Sequence, residues 1–460
     1  MKKSTRSLHL FSFVALFFCL VPLLQACGGS SGSSSGNGPV TITVAYQQFG
    51  PPPYYEQQWW QSAKTKIEAA HPNIKIKLMP IIADEGSYYT KLDLMLRSNN
   101  APDIVREDSF LVGSDVTAGY LAPLDSYLNN WSDYKNQWFP SMQKITTFNG
   151  KNYGVMDGTD VRAIWYNKDI FKKAGLPTTW QPNSWADILT AANTIKKRVP
   201  NVIPMNLYSG VPMDEASTMQ GFEMLLYGTK DTLYNYQTGK WVSSSTGFKD
   251  ALNFVKQVYN PSNLLGPTND ITLSTTAGNT VAQQLIPQGK LAIDIDGSWL
   301  GGNWETGGAA PWPQWKDTLG LAKMPTQNGQ DPKYVTLSGG WAYSIAARSA
   351  HKDQAFTVIQ EAFAKDLLGK YDIQTNGIAP RKDIVSLPEY SALPNFPFFT
   401  QLVNFTQFRP GFPAYPKISV QIDNAMQQVM SGKSSDDAMS AFSQSVETIA
   451  GGADKTEKHP

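Results

Sequence analysis

The chain has 460 residues, of which 41% are hydrophobic, 12% aromatic and 17% charged. That composition excludes disorder, coiled coil and collagen, and the length suits about three domains or two large ones. Its 39 basic and 38 acidic residues nearly cancel, which argues against a nucleic-acid partner, because phosphate binding needs a concentrated basic face. Two cysteines and four histidines, widely scattered, make a His-based zinc site or catalytic triad improbable on chemical grounds, and no metal or cofactor is expected.

In chain order, Lys2, Lys3 and Arg6 precede an uncharged apolar run from Leu10 to Leu24. The run is short for a spanning helix and has the layout of a secretory signal covering residues 1–26. Its end, Leu24-Gln25-Ala26-Cys27, resembles the lipobox of bacterial lipoproteins. The resemblance implies lipidation of Cys27 and a membrane-anchored protein at the cell surface or in the periplasm. Ordinary secretion with an incidental cysteine is the alternative. With Cys19 in the signal and Cys27 carrying lipid, no disulfide is expected, so stability must rest on a large core. Residues 27–39, with the run GGSSGSSSGNG at Gly28–Gly38, cannot bury apolar surface and read as a flexible tether.

Thr41–Ala45 is β-rich. Tyr54–Ala70 has helical spacing. Ile74, Ile76 and Leu78 alternate with Lys75 and Lys77, the mark of a strand. Tyr88–Ser98 is helical again, and Ala101–Val105 is a buried strand entered through a turn. Strand, helix, strand, helix, strand predicts a parallel α/β sheet. A second system follows: a strand at Val161–Tyr166, a helix at Asn167–Ala174 stopped by Gly175 and Pro177, and a helix opened by Ser184-Trp185-Ala186-Asp187, a capping box with Asp in place of Glu. Further strands are expected at Leu291–Ile295 and Ala342–Ala346. Helices are expected on the face Ala355, Val358, Ile359, Ala362 and Phe363, at Gln421–Met430, and from Ser434 or Ser435. Residues 451–460 read as a flexible tail.

Several segments together resemble extracellular solute-binding proteins of ABC importers, family 1, the maltose and trehalose binding type. They are YGVMDGTDVRAIWYNKDIFKKAGL at Tyr153–Leu176, the altered helix opening Ser184–Ile188, GKLAIDIDGSW at Gly289–Trp299, SGGWAYSIA at Ser338–Ala346, NGIAPR at Asn376–Arg381, Arg409-Pro410 and Gly432–Ala438. The resemblance implies an α/β fold, the larger two-lobe periplasmic-binding-protein form, with a ligand cleft between lobes. The three expected crossings lie near Met156–Asp157, Tyr334–Gly340 and Val385–Asn395. Lobe 1 would hold residues 40–156 and 340–390, and lobe 2 residues 157–335 and 391–450. The function implied is that of a monomeric substrate-binding lipoprotein. It would capture a carbohydrate, of di- or oligosaccharide size, by hinge closure and deliver it to the permease without catalysis.

A neutral polyol needs flat apolar surfaces for its C–H faces and planar carboxylate, amide or guanidinium groups for its hydroxyls. Trp299 follows Gly297-Ser298 at a strand end, where open α/β sheets bind ligands. Trp341 follows Gly339-Gly340 at an expected hinge, where glycine permits unusual backbone angles. Both are candidate stacking platforms, with core or hinge packing the alternative. Gln47, Gln48, Glu107 and Asp108 lie in loops after lobe 1 strands. Of Asp157 and Asp160, one is expected to bind hydroxyls, while the other pairs with Arg162. Arg409 either enters the cleft from lobe 2 or forms a surface ion pair. Trp304, Tyr46 and Tyr415 are weaker candidates, and Trp59, Trp60, Trp312 and Trp315 are expected to pack.

Two other functions fit parts of this pattern. A secreted glycoside hydrolase would also carry indole plates and paired carboxylates. A receptor for iron or a polyamine would use tyrosines or several carboxylates. Balanced charge and the Gly-Ser-Trp and Gly-Gly-Trp pair favour carbohydrate.

Overall fold

Two separate sheets organise the chain in the computed structural model, which describes residues 38–48, 52–98 and 100–460. The signal segment, Cys27 and most of the expected tether lie outside the described residues. Residues Pro39–Pro460 form one contact unit.

The first sheet has five strands in the order Ile74–Ile82, Val40–Gln48, Ile104–Asp108, Trp341–Ile345, Gly154–Met156. Val40–Gln48 pairs in parallel with both neighbours, with Val40 opposite Ile74 and Val44 opposite Ile104. This is the predicted strand–helix–strand pattern. The last two strands differ: Trp341–Ile345 runs antiparallel to both Ile104–Asp108 and Gly154–Met156. The sheet is therefore mixed. Helix Tyr55–Ala70 covers one face by burying Trp59, Trp60, Ala63 and Ile67, the stripe its spacing predicts. Helix Lys352–Ala362 adds Ala355, Val358, Ile359 and Ala362 to the same core.

The second sheet orders Leu319–Ala322, Arg162–Asn167, Leu291–Gly297 and Ile203–Asn206. Leu291–Gly297 is buried throughout, as suits a strand covered on both faces. Local signals act here as expected. Gly175 takes φ 70° and ends helix Lys168–Ala174. The Ser184 hydroxyl accepts from the Asp187 N–H, while Asp187 accepts from the Ser184 N–H, completing the capping box of helix Trp185–Arg198.

Two chain segments cross side by side between the sheets. After Met156 the Asp157 N–H donates to the Trp341 carbonyl (2.9 Å), and the Thr159 hydroxyl donates to the Gly339 carbonyl (2.9 Å). Further on, Tyr390 packs in the core of the first sheet, whereas Phe399 and Leu402 pack in that of the second. The chain thus has two lobes joined by three strands of connection.

The flexible tail expected at 451–460 is corrected. Thr456–Lys458 is a strand pairing in parallel with Lys240–Ser244, and the His459 N–H donates to the Ser244 carbonyl (2.9 Å). The backbone edge of Lys240–Ser244 needs hydrogen-bond partners, and the tail supplies them.

Candidate functional site

A cavity of about 920 Å³ is walled by residues of both lobes. On the second-lobe side stands Trp299, half-buried, in the 3-10 helix Ser298–Trp304 that follows strand Leu291–Gly297. Its ring folds back over Gly297: a Cβ there would sit 2.0 Å from a ring carbon. Only glycine lets the indole lie flat on the backbone. The Arg162 guanidinium lies 4.9 Å from the indole centroid and forms a close ion pair with Asp160. Asp160 also accepts the Gly339 N–H (3.0 Å), and the Arg162 Nε–H donates to Gln220 Oε1 (3.4 Å).

On the first-lobe side stands Trp341, also half-buried and lining the cavity. Arg106 lies 4.7 Å from its centroid, and Tyr89 stacks at 6.0 Å and 29°. Gly340 positions the indole. It takes φ 131°, and a Cβ there would meet the Gly158 carbonyl oxygen at 2.6 Å. Gly340→Ala is therefore expected to strain the paired crossing. It should lower the melting temperature of the ligand-free protein by several degrees, for a cost of about 1–3 kcal/mol; unchanged melting by calorimetry would remove Gly340 from that role.

One ion-pair chain spans the lobes. Arg409 donates through Nη2 to Asp108 (2.6 Å) and through Nη1 to Glu215 (2.9 Å), with its guanidinium 4.4 Å from the Phe110 centroid. All three charged side chains are buried. Arg409 thus enters the cavity wall rather than forming a surface pair.

The structure brings together Gln47, Asp108, Asp160, Arg162, Trp299, Gly340, Trp341 and Arg409 around this cavity. Three other candidates stand apart, and the reasons are geometric. Gln48 lies next to Gln47 on the same strand, where alternate side chains take opposite faces, and is not a wall residue. Glu107 sits between Arg106 and Asp108, so it points to the opposite face of the sheet and is fully buried. Burial first, and the neighbouring Asp115 second, push its carboxyl well above the ordinary carboxylate range. Asp157 lies behind Trp341, where its carboxylate pairs with Arg106 (2.9 Å); burial raises it to about 6 despite that pairing. Both roles divided in the sequence between Asp157 and Asp160, cavity contact and Arg162 pairing, therefore meet in Asp160.

Sequence reasoning missed Glu85, Asp214, Glu215, Asp296 and Asp423, all wall residues. Asp296 had a signal: it lies in the quoted strand GKLAIDIDGSW, three residues before Trp299. Glu85 sits at a helix start, Asp214 and Glu215 in an irregular segment that periodicity does not mark, and Asp423 within helix Tyr415–Met430, where its buried position breaks the apolar pattern. Glu85 is open to the cavity yet ringed by protein, and its carboxyl is pushed up to about 7, by that burial first and Asp108 second. Burial, then Glu215, raises Asp214 to about 6. Burial raises Asp296 to about 6, against a hydrogen bond from the Gly297 N–H. Among the aromatic residues set aside, Trp59, Trp60, Trp304 and Trp315 are core, Trp312 packs half-buried on that core, and Tyr46 and Tyr415 are buried.

A two-lobed α/β body with a large cavity between its lobes suits the enclosure of a small ligand. The family model described as bacterial extracellular solute-binding protein matches residues 52–366. The chain belongs to that family. It is similar to the galactooligosaccharide-binding protein of Bacillus subtilis, 22% identical over 440 residues, covering 93% of each chain. An ABC transporter solute-binding protein from Thermotoga lettingae, solved with alpha-D-tagatose, superposes with TM-score 0.74 at 24% identity, over 90% of this chain and 99% of that one. A substrate-binding protein of Listeria monocytogenes, solved with cycloalternan, gives 0.74 at 19% identity over 90% and 99%. At these identities the structures establish the shared fold. Among the described residues no helix is long and apolar enough to cross a membrane.

Proposed function

We propose that the chain is the substrate-binding lipoprotein of an ABC importer, capturing a di- or oligosaccharide by hinge closure and presenting it to the permease. The observation that carries this reading is the pair of indoles. Trp299 comes from one lobe and Trp341 from the other, and both face the same cavity. Flat apolar plates match the C–H faces of a sugar ring, while Gln47, Asp108, Asp160, Arg162 and Arg409 offer planar groups that reach adjacent hydroxyls. The cavity, about 920 Å³, falls in the range of small-molecule sites. The oligosaccharide and tagatose ligands in the names of the relatives support a carbohydrate. Asp157 is not a wall residue but pairs with Arg106, whose guanidinium lies over the Trp341 indole.

Ligand shifts the hinge only by its difference in affinity for the open and closed forms. Moving the population from 1:99 to 99:1 takes about 5.5 kcal/mol. No bond is made or broken. Incubating the purified protein with an oligosaccharide panel tests this. Intact sugar with a change in tryptophan fluorescence supports the receptor; release of reducing ends would mean a hydrolase.

The anchor is a separate part of the proposal, supported by the sequence Leu24-Gln25-Ala26-Cys27. Cys27→Ser is expected to move the protein from the membrane fraction to the soluble fraction on cell fractionation. Full membrane retention of that variant would remove the lipid anchor.

A further inference from the structure

We propose that Arg106 is a positioning residue for the site: from behind the cavity wall it fixes the plane of the Trp341 indole against which the ligand stacks. The inference rests on the reading of Trp341 as a ligand plate and adds what holds that plate still.

Trp341 is half-buried and follows Gly340 at an interlobe crossing. An indole free to turn about its side-chain torsions would have to be ordered at each binding event, and that ordering subtracts from affinity. The sheet register supplies a support. Trp341 pairs opposite Asp108, and Tyr343 opposite Arg106. Alternate residues of a strand share a face, so these four side chains stand on one face of the first sheet. The Arg106 guanidinium lies over the Trp341 ring, 4.7 Å from its centroid.

The guanidinium is itself fixed at every nitrogen. Its Nε–H donates to Asp157 (2.9 Å), and Nη2 lies 2.9 Å from the same carboxylate. Nη1 donates to Glu56 (2.7 Å) and Nη2 to the Tyr371 hydroxyl (3.4 Å). Glu56 is held in turn by the Tyr343 hydroxyl, which accepts from the Trp60 Nε1–H (2.5 Å). These partners come from helix Tyr55–Ala70, the crossing after Met156, helix Lys365–Thr375 and strand Trp341–Ile345. The Asp157 N–H also donates to the Trp341 carbonyl (2.9 Å). One residue thus grips both the backbone of the plate and the arginine behind it.

Trp341 lines the cavity, whereas Glu56, Arg106, Asp157, Tyr343 and Tyr371 do not. A ligand in the cavity therefore meets Arg106 only through the indole. The arginine at the other plate differs: Arg162, 4.9 Å from the Trp299 centroid, is itself a wall residue. Lysine at the Arg106 position would keep the charge but lose the planar fork that stacks on the ring and spans two carboxylates.

The test is a double-mutant cycle on the full chain with two readouts. The first uses ligand-free protein labelled with 5-fluorotryptophan. The fluorine resonance that disappears in Trp341→Phe is expected to be one narrow line in the wild type and to broaden or split in Arg106→Lys. The second is calorimetric titration with D-tagatose, maltotriose, galactobiose and cellobiose, the tightest binder serving as probe. Arg106→Lys is expected to weaken binding of the probe by about three- to tenfold while Trp341 is present. In the Trp341→Ala background it should cause no further loss, because a residue that acts through the ring has nothing left to hold. A purely structural role would instead leave the two losses additive. Should Arg106→Lys not fold, Glu56→Ala removes one anchor, keeps the Arg106–Asp157 pair, and is expected to move both readouts the same way. An unchanged resonance, or losses that add, overturns this inference and leaves the carbohydrate reading standing. Failure of every sugar to bind the wild type overturns both.

Discussion

Arg409→Met is expected to destabilise the ligand-free protein by about 3–5 kcal/mol, the usual cost of removing one partner from a buried ion pair. Methionine fills much of the volume but leaves Asp108 and Glu215 without their cation. Both carboxylates are buried, and Tyr89 (3.0 Å) and Tyr415 (3.3 Å) can donate to them only as neutral phenols. Two buried carboxylates left without their counter-ion are the source of that cost. Urea unfolding of wild type and variant at pH 8 measures this. A deficit below about 1 kcal/mol at pH 8 would mean that the pair is solvated and not part of a buried interlobe bridge.

Trp299→Ala should weaken sugar binding at least tenfold, about 1.4 kcal/mol or more, while barely changing the melting of the ligand-free protein. Its ring is half-buried against Gly297 and Arg162, with one side on the cavity. Trp304, five positions later, provides the contrast. It is 1% exposed, its Nε1–H donates to the Ala282 carbonyl (2.8 Å), and it packs against Trp165 and Trp315. Trp304→Ala should cost about 3–5 kcal/mol of stability through loss of core. Calorimetry and thermal melting of the two variants together decide the assignment. A large loss of melting temperature at Trp299 with normal affinity would make it a core residue.

The contrast shows what was legible in the sequence. Trp299 and Trp304 lie in one short 3-10 helix, too short for a repeating pattern to mark its faces in the sequence. The Gly-Ser-Trp motif singled out Trp299, and the ring's fit over Gly297 is the physical reason for that spacing. Regular elements were clearer. The stripe Trp59, Trp60, Ala63 and Ile67, and the capping box at Ser184, follow from periodicity and cap chemistry alone. Helix Tyr415–Met430 starts six residues earlier than its apolar pattern suggested, because Pro416 sits in the first turn, where its missing N–H costs nothing. Glu107 and Asp108 were both candidates as neighbours in sequence, with Asp108 the preferred carboxylate. Only strand alternation, fixed by pairing Trp341 opposite Asp108, sends one to the cavity and one away. Glu85, Asp214 and Glu215 were hidden for another reason: the cavity's charge arises from segments far apart in the chain that meet only when the lobes come together.

Small-angle X-ray scattering of the purified protein, with and without its tightest-binding sugar, tests the hinge and the grip together. The account expects the radius of gyration to fall on addition of sugar, with the sugar recovered intact afterwards. An unchanged radius at saturating sugar, or recovery of cleaved sugar, would contradict capture between the two lobes.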